Sequence, residues 1–251
     1  MEVTELFWQA NLDELKQGYV REGHYFTCLL CGKRAESGII YPEEGVLYEA
    51  EKYMHYHIQH THQSVFHYLI GLDKKLTGLT EHQNSLLKLF FEGKSDGEIQ
   101  KEMGIGSAST IRNHRFGLKE KERQAKVFLA MMELLKEKDQ YAPAFVDIHK
   151  TATMVDERYN VTQEEYNKIV KKYFPEGPSG AITTFSQQEK HKLVVLREIA
   201  KHFEPERRYK EKEVNEILEV VYHDYVTVRR YLIEYGFLDR KEDGSQYWLL
   251  G

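Results

Sequence analysis

Apolar positions along this chain recur mostly at helical spacing, with short strand-like runs near the start and at the end. Leu47, Ala50, Met54, Ile58, Val65 and Leu69 form one stripe, which predicts a long helix over residues 46–70. Ahead of it, residues 25–30 and 38–41 read as short strands, with Pro42-Glu43-Glu44-Gly45 as a turn. Leu79 to Gly93 begins with a threonine N-cap and stops at glycine. Ser95 then caps a short helix over 96–103, and Gly104-Ile105-Gly106-Ser107 turns into a third helix from Ala108. Ala125, Phe128, Leu129, Met132 and Leu135 continue that helix as a near-heptad stripe. Turn formers gather at residues 174–180 and mark a linker. Three further helices follow, one through Leu193, Ile199 and Phe203, one over 209–221 and one over 224–235. Residues 237–250 read as a hairpin turning at Asp243-Gly244. The expected fold is mainly α, in four stretches: 1–77, 78–138, a helical connector 139–178, and 179–251.

A chain of 251 residues exceeds one ordinary domain, and its hydrophobic fraction of 41% can fill cores. The acidic, amphipathic start lacks the form of a secretory signal, and no run reaches the ~20 apolar residues that span a bilayer. With two cysteines, both in one C-x-x-C, a disulfide scaffold is not expected, and the cytoplasm is the expected compartment. The formal net charge of -5 argues against coating nucleic acid by bulk electrostatics. Charge is screened beyond about 8 Å at physiological salt, so a local basic helix can still meet phosphate. From Ala108 to Lys126 the net charge is +4.

Cys28-Leu29-Leu30-Cys31, followed by a helix bearing His55, His57, His60 and His62, supplies the soft and imidazole donors of a tetrahedral zinc site. Two ligands from a knuckle and two from a helix would clamp a small hairpin, as structural metals do. At about 100° per residue, His57 and His62 fall on opposite shoulders of the apolar stripe while His60 points away. The preferred set is therefore Cys28, Cys31, His57 and His62, with the last helical turn distorted. It resembles a two-cysteine, two-histidine zinc finger, although 25 residues separate Cys31 from His57. A reduced, uncoordinated cysteine pair and a redox-active C-x-x-C are the alternatives.

Leu79-Thr80, Leu87, Leu89, Gly93, Ser95, Glu98-Ile99, Met103-Gly104-Ile105, Ser107, Thr110-Ile111 and Asn113-His114 together resemble the GerE/LuxR class of helix-turn-helix regulators over about 45 residues. One extra residue stands between Met103 and Thr110. The resemblance implies a bacterial transcription regulator whose third helix reads DNA. The residues agree: Ile111, Phe116 and Leu118 offer apolar contacts, while Ser107, Ser109, Thr110, Arg112, Asn113, Arg115 and Lys119 suit a major groove and its phosphates. A solvated helix on an ordinary bundle is the plain alternative. The stripe beyond Leu118 reads equally as a homodimer seam or as packing within one chain.

Three helices and a hairpin at the C-terminus make a winged helix, in which Tyr225, Thr227, Arg229 and Arg230 would form a second DNA-facing surface. Pairing of the arginines to Asp224 or Glu213 is the structural alternative, and the acidic helix before them suits a protein contact equally well. Arg208-Tyr209, residues 213–218, Asp224-Tyr225, Arg229 to Ile233, Tyr235 to Leu238 and Tyr247-Trp248 resemble an uncharacterised bacterial domain, a domain of unknown function that accompanies transcription regulators.

No Walker loop, dinucleotide fingerprint or nucleophile elbow is present, so no enzymatic activity is expected. The expected function is sequence-specific DNA binding with a structural zinc. The alternative is a zinc-containing sensor or interaction module that binds a protein through its N- or C-terminal unit.

Overall fold

The computed structural model describes residues 3–250; Met1, Glu2 and Gly251, the outermost residues of the first and last expected stretches, lie outside the described residues. In chain order the elements are helices α1 (Val3–Gln9) and α2 (Leu12–Gln17) and strands β1 (Tyr19–Glu22), β2 (Tyr25–Cys28), β3 (Arg34–Glu36), β4 (Ile40–Glu43) and β5 (Val46–Glu49). Helices α3 (Ala50–His62), α4 (Val65–Ile70), α5 (Lys74–Thr77), α6 (Glu81–Phe91), α7 (Asp96–Glu102) and α8 (Ala108–Lys136) follow. Then come α9 (Gln163–Tyr173), α10 (Glu189–Ala200), α11 (Glu211–Val221), α12 (Tyr225–Glu234) and strands β6 (Leu238–Arg240) and β7 (Tyr247–Leu249). The protein is mainly helical with small antiparallel sheets. It divides into two compact units, one built from Met1–Leu76 with Ala144–Gly251 and the other from Thr77–Pro143.

In the first unit, β1, β2 and β3 form an antiparallel sheet that pairs Tyr19 with Cys28 and Phe26 with Ala35. Two expected strands are therefore five observed ones, and the helix expected over 46–70 is shorter and broken. Residues Val46–Glu49 pair with β4 through a turn whose Glu44 and Gly45 have φ of 48° and 81°. Leu47 shares the phase of the helical stripe but is 72% exposed on that hairpin. Helix α3 lies on the sheet and buries Ala50, Tyr53, Met54 and Ile58 against Tyr19, Phe26 and Leu30. It ends at His62, where Gln63 takes φ of 62° and Ser64 caps the separate helix α4.

The C-terminal half of this unit is organised around α10, which buries Leu193, Val194, Val195, Leu196, Ile199 and Ala200. A helix apolar on most sides needs cover on most sides. Here α9 packs on one side of it and α12 on another. Only α9 and a short 3-10 turn at Glu157–Tyr159 are helical in the connector. Phe174 and Ile182, which flank the expected linker, are both buried in the same core, so the turn at 174–180 joins two layers of that core.

Residues 147–153 form a strap that binds both halves of the unit. Lys150 Nζ donates to the carbonyls of Leu29 and Leu30, and Trp8 Nε1 donates to Ile148 O. On the other side, Arg197 donates to Asp147 O, Thr151 Oγ1 to Gly236 O and Thr153 Oγ1 to Glu234 O. This network explains why the two ends of the chain share one compact unit.

The second unit has a small core of Leu86, Leu89, Ile99 and Ile111, edged by Phe90, Met103 and Ile105. Thr80, Ser95 and Ser107 cap α6, α7 and α8 through side-chain oxygens that accept backbone N–H groups, the first two as full capping boxes. Gly104, at φ of 65°, turns the chain between α7 and α8. Phe116, expected to offer an apolar contact, is 65% exposed, whereas Ile111 on the same part of α8 is fully buried.

Candidate metal centre and nucleic-acid interface

β2 delivers Cys28, and the tight knuckle behind it returns Cys31 to the same side. The knuckle is closed by hydrogen bonds from Cys28 N to Lys33 O and from Gly32 N to Cys28 O, with Gly32 at φ of 85°. Helix α3 brings His57 from its buried face and His62 from its last residue. One ligand atom from each of Cys28, Cys31, His57 and His62 lies within 4.8 Å of the others. Residues five apart diverge by about 140° on an ideal helix. Because the helix ends at His62, the chain is released there and both imidazoles meet the knuckle. Cys31 Sγ lies 3.1 Å from His57 Nε2, and Cys28 Sγ 3.8 Å from His62 Nε2.

The donor set fits a metal of zinc type, with two thiols and two imidazoles arranged at ligand-to-ligand separations. A hydrogen bond from Cys31 is the main influence that draws Cys28 toward the thiolate, against burial, and His57 and His62 add to it. Cys31 is pushed up correspondingly, by the proton it shares with Cys28 and by its own burial. Two neighbours complete the surroundings. Thr61 Oγ1 lies 3.3 Å from His57 Nδ1, the nitrogen facing away from Cys31. The buried hydroxyl of Tyr68 has no hydrogen-bond partner among the described residues and lies within electrostatic reach of both cysteines. His55 and His60 stay out of the cluster, the first beside Tyr19 Oη at 3.3 Å and the second stacked on Tyr56.

Sequence reasoning missed three residues here. Lys150, 1% exposed, braces the knuckle carbonyls, and Lys33 pairs with Glu206 at 3.1 Å. Glu206 also places Oε1 3.6 Å from Cys31 Sγ. Lys150 and Glu206 stand 121 and 175 residues from their partners Leu29 and Cys31, so no local spacing could have flagged them. A cavity of about 670 Å³ opens beside the cluster, with Cys31, His57, His62, Glu206, Arg208 and Trp248 in its wall.

In the second unit, Ser109, Arg112, Asn113 and Phe116 follow helical spacing along one face of α8, opposite the fully buried Ile111, and all four are exposed. Among the described residues Arg112 has no carboxylate partner. Ser107 and Thr110 are drawn into the cap, with their hydroxyls 3.1 Å apart. Arg115 turns away, donates to Asp96 at 2.8 and 3.1 Å and stacks over Phe90 at 3.7 Å. Lys119 is exposed and paired to Glu122 on the same helix. From Val127 to Leu135 the apolar residues of α8 are exposed, with Phe128 at 60% and Leu129 at 58%.

At the C-terminus Arg229 is half-buried, ion-paired to Glu211 at 2.8 Å and hydrogen-bonded to Asn215. It ties α11 to α12. Tyr225 packs against the core, Thr227 N–H donates to the Asp224 side chain, and Arg230 is exposed. No helix among the described residues is long and apolar enough to cross a membrane.

Residues 181–249 match the profile of a family described as an uncharacterized protein conserved in bacteria (DUF2087), which spans α10 to β7 and includes Glu206. No curated protein and no solved structure matches the chain.

Proposed function

We propose that this protein is a sequence-specific, DNA-binding transcription regulator that reads the major groove with the N-terminal turns of α8. The observation that carries the reading is the exposed face of Ser109, Arg112, Asn113 and Phe116 opposite buried Ile111. Arg and Asn are the side chains that read guanine and adenine edges, and an apolar ring suits a thymine methyl. Ser107, as N-cap, fixes where that face begins, and helix N-terminal N–H groups favour phosphate. The likeness to GerE/LuxR regulators belongs to this proposal, as does the reading of α10–α12 with β6 and β7 as a winged helix. In that winged helix, Arg230 is the exposed cation while Arg229 holds the fold.

The exposed apolar part of α8 fits a second copy of the chain. Ala125, Phe128, Leu129, Met132 and Leu135 sit at near-heptad spacing on the same helix as the reading face. Pairing there would present two reading faces to half-sites about 34 Å apart. The cluster of Cys28, Cys31, His57 and His62 would hold a structural zinc that clamps the knuckle to α3. A second reading, a zinc-dependent sensor that binds protein in place of DNA, is favoured by the cavity beside that cluster.

Anisotropy titrations of the full chain against random and genomic duplexes at several salt concentrations test the proposal. Saturable binding that weakens steeply with salt, together with discrete sites in genome-wide mapping, is the expected outcome. No affinity for any duplex at low salt would leave the sensor reading in its place.

A further inference from the structure

We propose that the cavity beside the Cys/His cluster binds a small aromatic carboxylate, held by Arg208 through its acid group and by the rings of α3 and Trp248 through its own. The proposal needs neither DNA binding nor a bound metal. The cavity measures about 670 Å³, within the range of small-molecule sites, roughly 300–1,000 Å³. Two separate segments build its wall. On α3, Tyr53, Tyr56, His57 and His60 recur at i, i+3, i+4 and i+7, so they share one face, and all four line the cavity. The other segment is the antiparallel bridge between Tyr209 and Tyr247, whose rings are 1% exposed and belong to the core. The adjoining positions in that register, Arg208 and Trp248, stand opposite one another on the reverse face. Both line the cavity, with the guanidinium carbon 3.9 Å from the centre of the indole.

The charges of the wall select the ligand. Lys33 and Glu206 neutralise each other at 3.1 Å, and among the described residues Arg208 has no carboxylate partner. Its neighbour Arg207 differs, being paired to Glu204 and Glu213. A guanidinium held flat on an indole keeps its N–H edge for an acceptor, and that planar edge matches a carboxylate in bidentate fashion. Glu43 and Glu44, at the β4–β5 turn, also line the cavity and bear electrostatically on Tyr56. A polyanion such as a nucleotide would therefore meet these two carboxylates and Glu206 against one unpaired cation, while a single acid group meets its match in Arg208. The rest of the ligand is chosen by the rings. Tyr56, stacked on His60, and Trp248, stacked under Arg208, offer flat apolar surface to a flat body. Because Trp248 and Arg208 belong to the segment that carries the bacterial-family match and Tyr56 to the N-terminal half, a bound ligand would touch both.

Titration of the full-length, reduced chain with benzoate, salicylate, naphthoate and indoleacetate, each beside its neutral amide, tests the assignment by calorimetry and tryptophan fluorescence. Of the two tryptophans, Trp248 lines the cavity and Trp8 is bonded to Ile148 O. At least one acid is expected to saturate the chain below about 1 mM and to bind about tenfold or more tighter than its amide. It should also shift the emission, and Trp248→Phe should remove that signal. Arg208→Gln should abolish the preference for acid over amide, and because Arg208 is exposed the core is untouched. Arg207→Gln should retain it. Tyr56→Leu should weaken acid and amide alike by about three- to tenfold. Absence of saturable binding by every acid, an intact preference in Arg208→Gln, or unchanged affinities in Tyr56→Leu would each overturn the proposal. Tighter binding of inorganic phosphate or adenosine monophosphate than of any carboxylate would overturn it too, in favour of a phosphate site.

Discussion

Lys150 Nζ donates to the carbonyl oxygen of Leu29 at 2.6 Å, across 121 residues of sequence, and joins the strap to the cysteine knuckle. Its second bond goes to Leu30 O at 2.9 Å, and among the described residues no carboxylate pairs with this 1% exposed ammonium. Burial lowers its pKa to about 8, while the charges of Cys28 and Cys31 act in the opposite direction. Lys150→Met fills the same space but leaves two buried carbonyls without a donor. A loss of about 2–4 kcal/mol in urea denaturation is expected. A variant as stable as the wild type would mean that water replaces the ammonium and the brace is dispensable.

On α8 two neighbouring arginines should separate cleanly. Arg112→Ala removes an exposed cation from the reading face. It should weaken duplex binding and flatten the salt slope by about one if the contact is to phosphate, or cost about 1–3 kcal/mol at one base position if it is to an edge. Arg115→Ala removes the pair to Asp96 and the stack on Phe90. It should lower the thermal stability of the helix-turn-helix unit by about 1 kcal/mol and leave the slope alone. Equal effects of both variants on the slope would place Arg115 at the DNA as well.

These contrasts show where the sequence was legible. The caps Thr80, Ser95 and Ser107 and the C-x-x-C are short-range patterns, and each stands in the structure where its spacing puts it. Leu47 misled because a residue in a hairpin strand can share the phase of the helix that follows. Whether Val46–Glu49 extends α3 or pairs with β4 is decided by the partner strand, which a helical period does not report. Lys150, Glu206 and the burial of Phe174 and Ile182 depend on contacts between distant segments. A lysine and a glutamate among many others carry no mark of that in one sequence.

Metal removal is the direct check on the Cys/His cluster. The purified chain should carry about one zinc, and Cys28→Ser should lose it. Chelation of the wild type should lower its melting temperature, while chelation of Cys28→Ser should change nothing further. Elemental analysis that finds full zinc in Cys28→Ser would exclude this cysteine as a ligand.

His149 sets a pH limit on the first unit. It is buried, stacks on Phe237 with centroids 4.1 Å apart, and places Nε2 2.9 Å from Tyr235 O. Burial holds its pKa down to about 4, Arg197 adds to the shift, and the bond to Tyr235 opposes it. The unfolded chain takes up this proton near pH 6.5 and the folded one only near 4. Stability is therefore complete above about pH 6.5 and falls as pH drops toward 4, by about 3 kcal/mol in all. His149→Phe should flatten the urea midpoint across that window relative to wild type. Parallel curves would mean that His149 takes its proton in the folded protein too.

Gly236 and Gly244 test whether the strap is seated as tightly as its hydrogen bonds imply. Both have left-handed backbones, with φ of 77° and 69°. An alanine at either site meets a similar conformational cost of about 1 kcal/mol. They differ in what a Cβ would strike: at Gly236 it would lie 2.1 Å from Thr151 O, and at Gly244 nothing is nearer than 3.7 Å. Gly236→Ala must push residues 151–153 off the end of α12, breaking the bonds from Thr151 and Thr153 to Gly236 O and Glu234 O. A loss of about 3 kcal/mol or more is expected for Gly236→Ala against about 1 for Gly244→Ala. In hydrogen exchange the first substitution should expose the strap while the second leaves it protected. Equal losses in the two variants would show that the strap yields easily and does not lock the two halves of the unit.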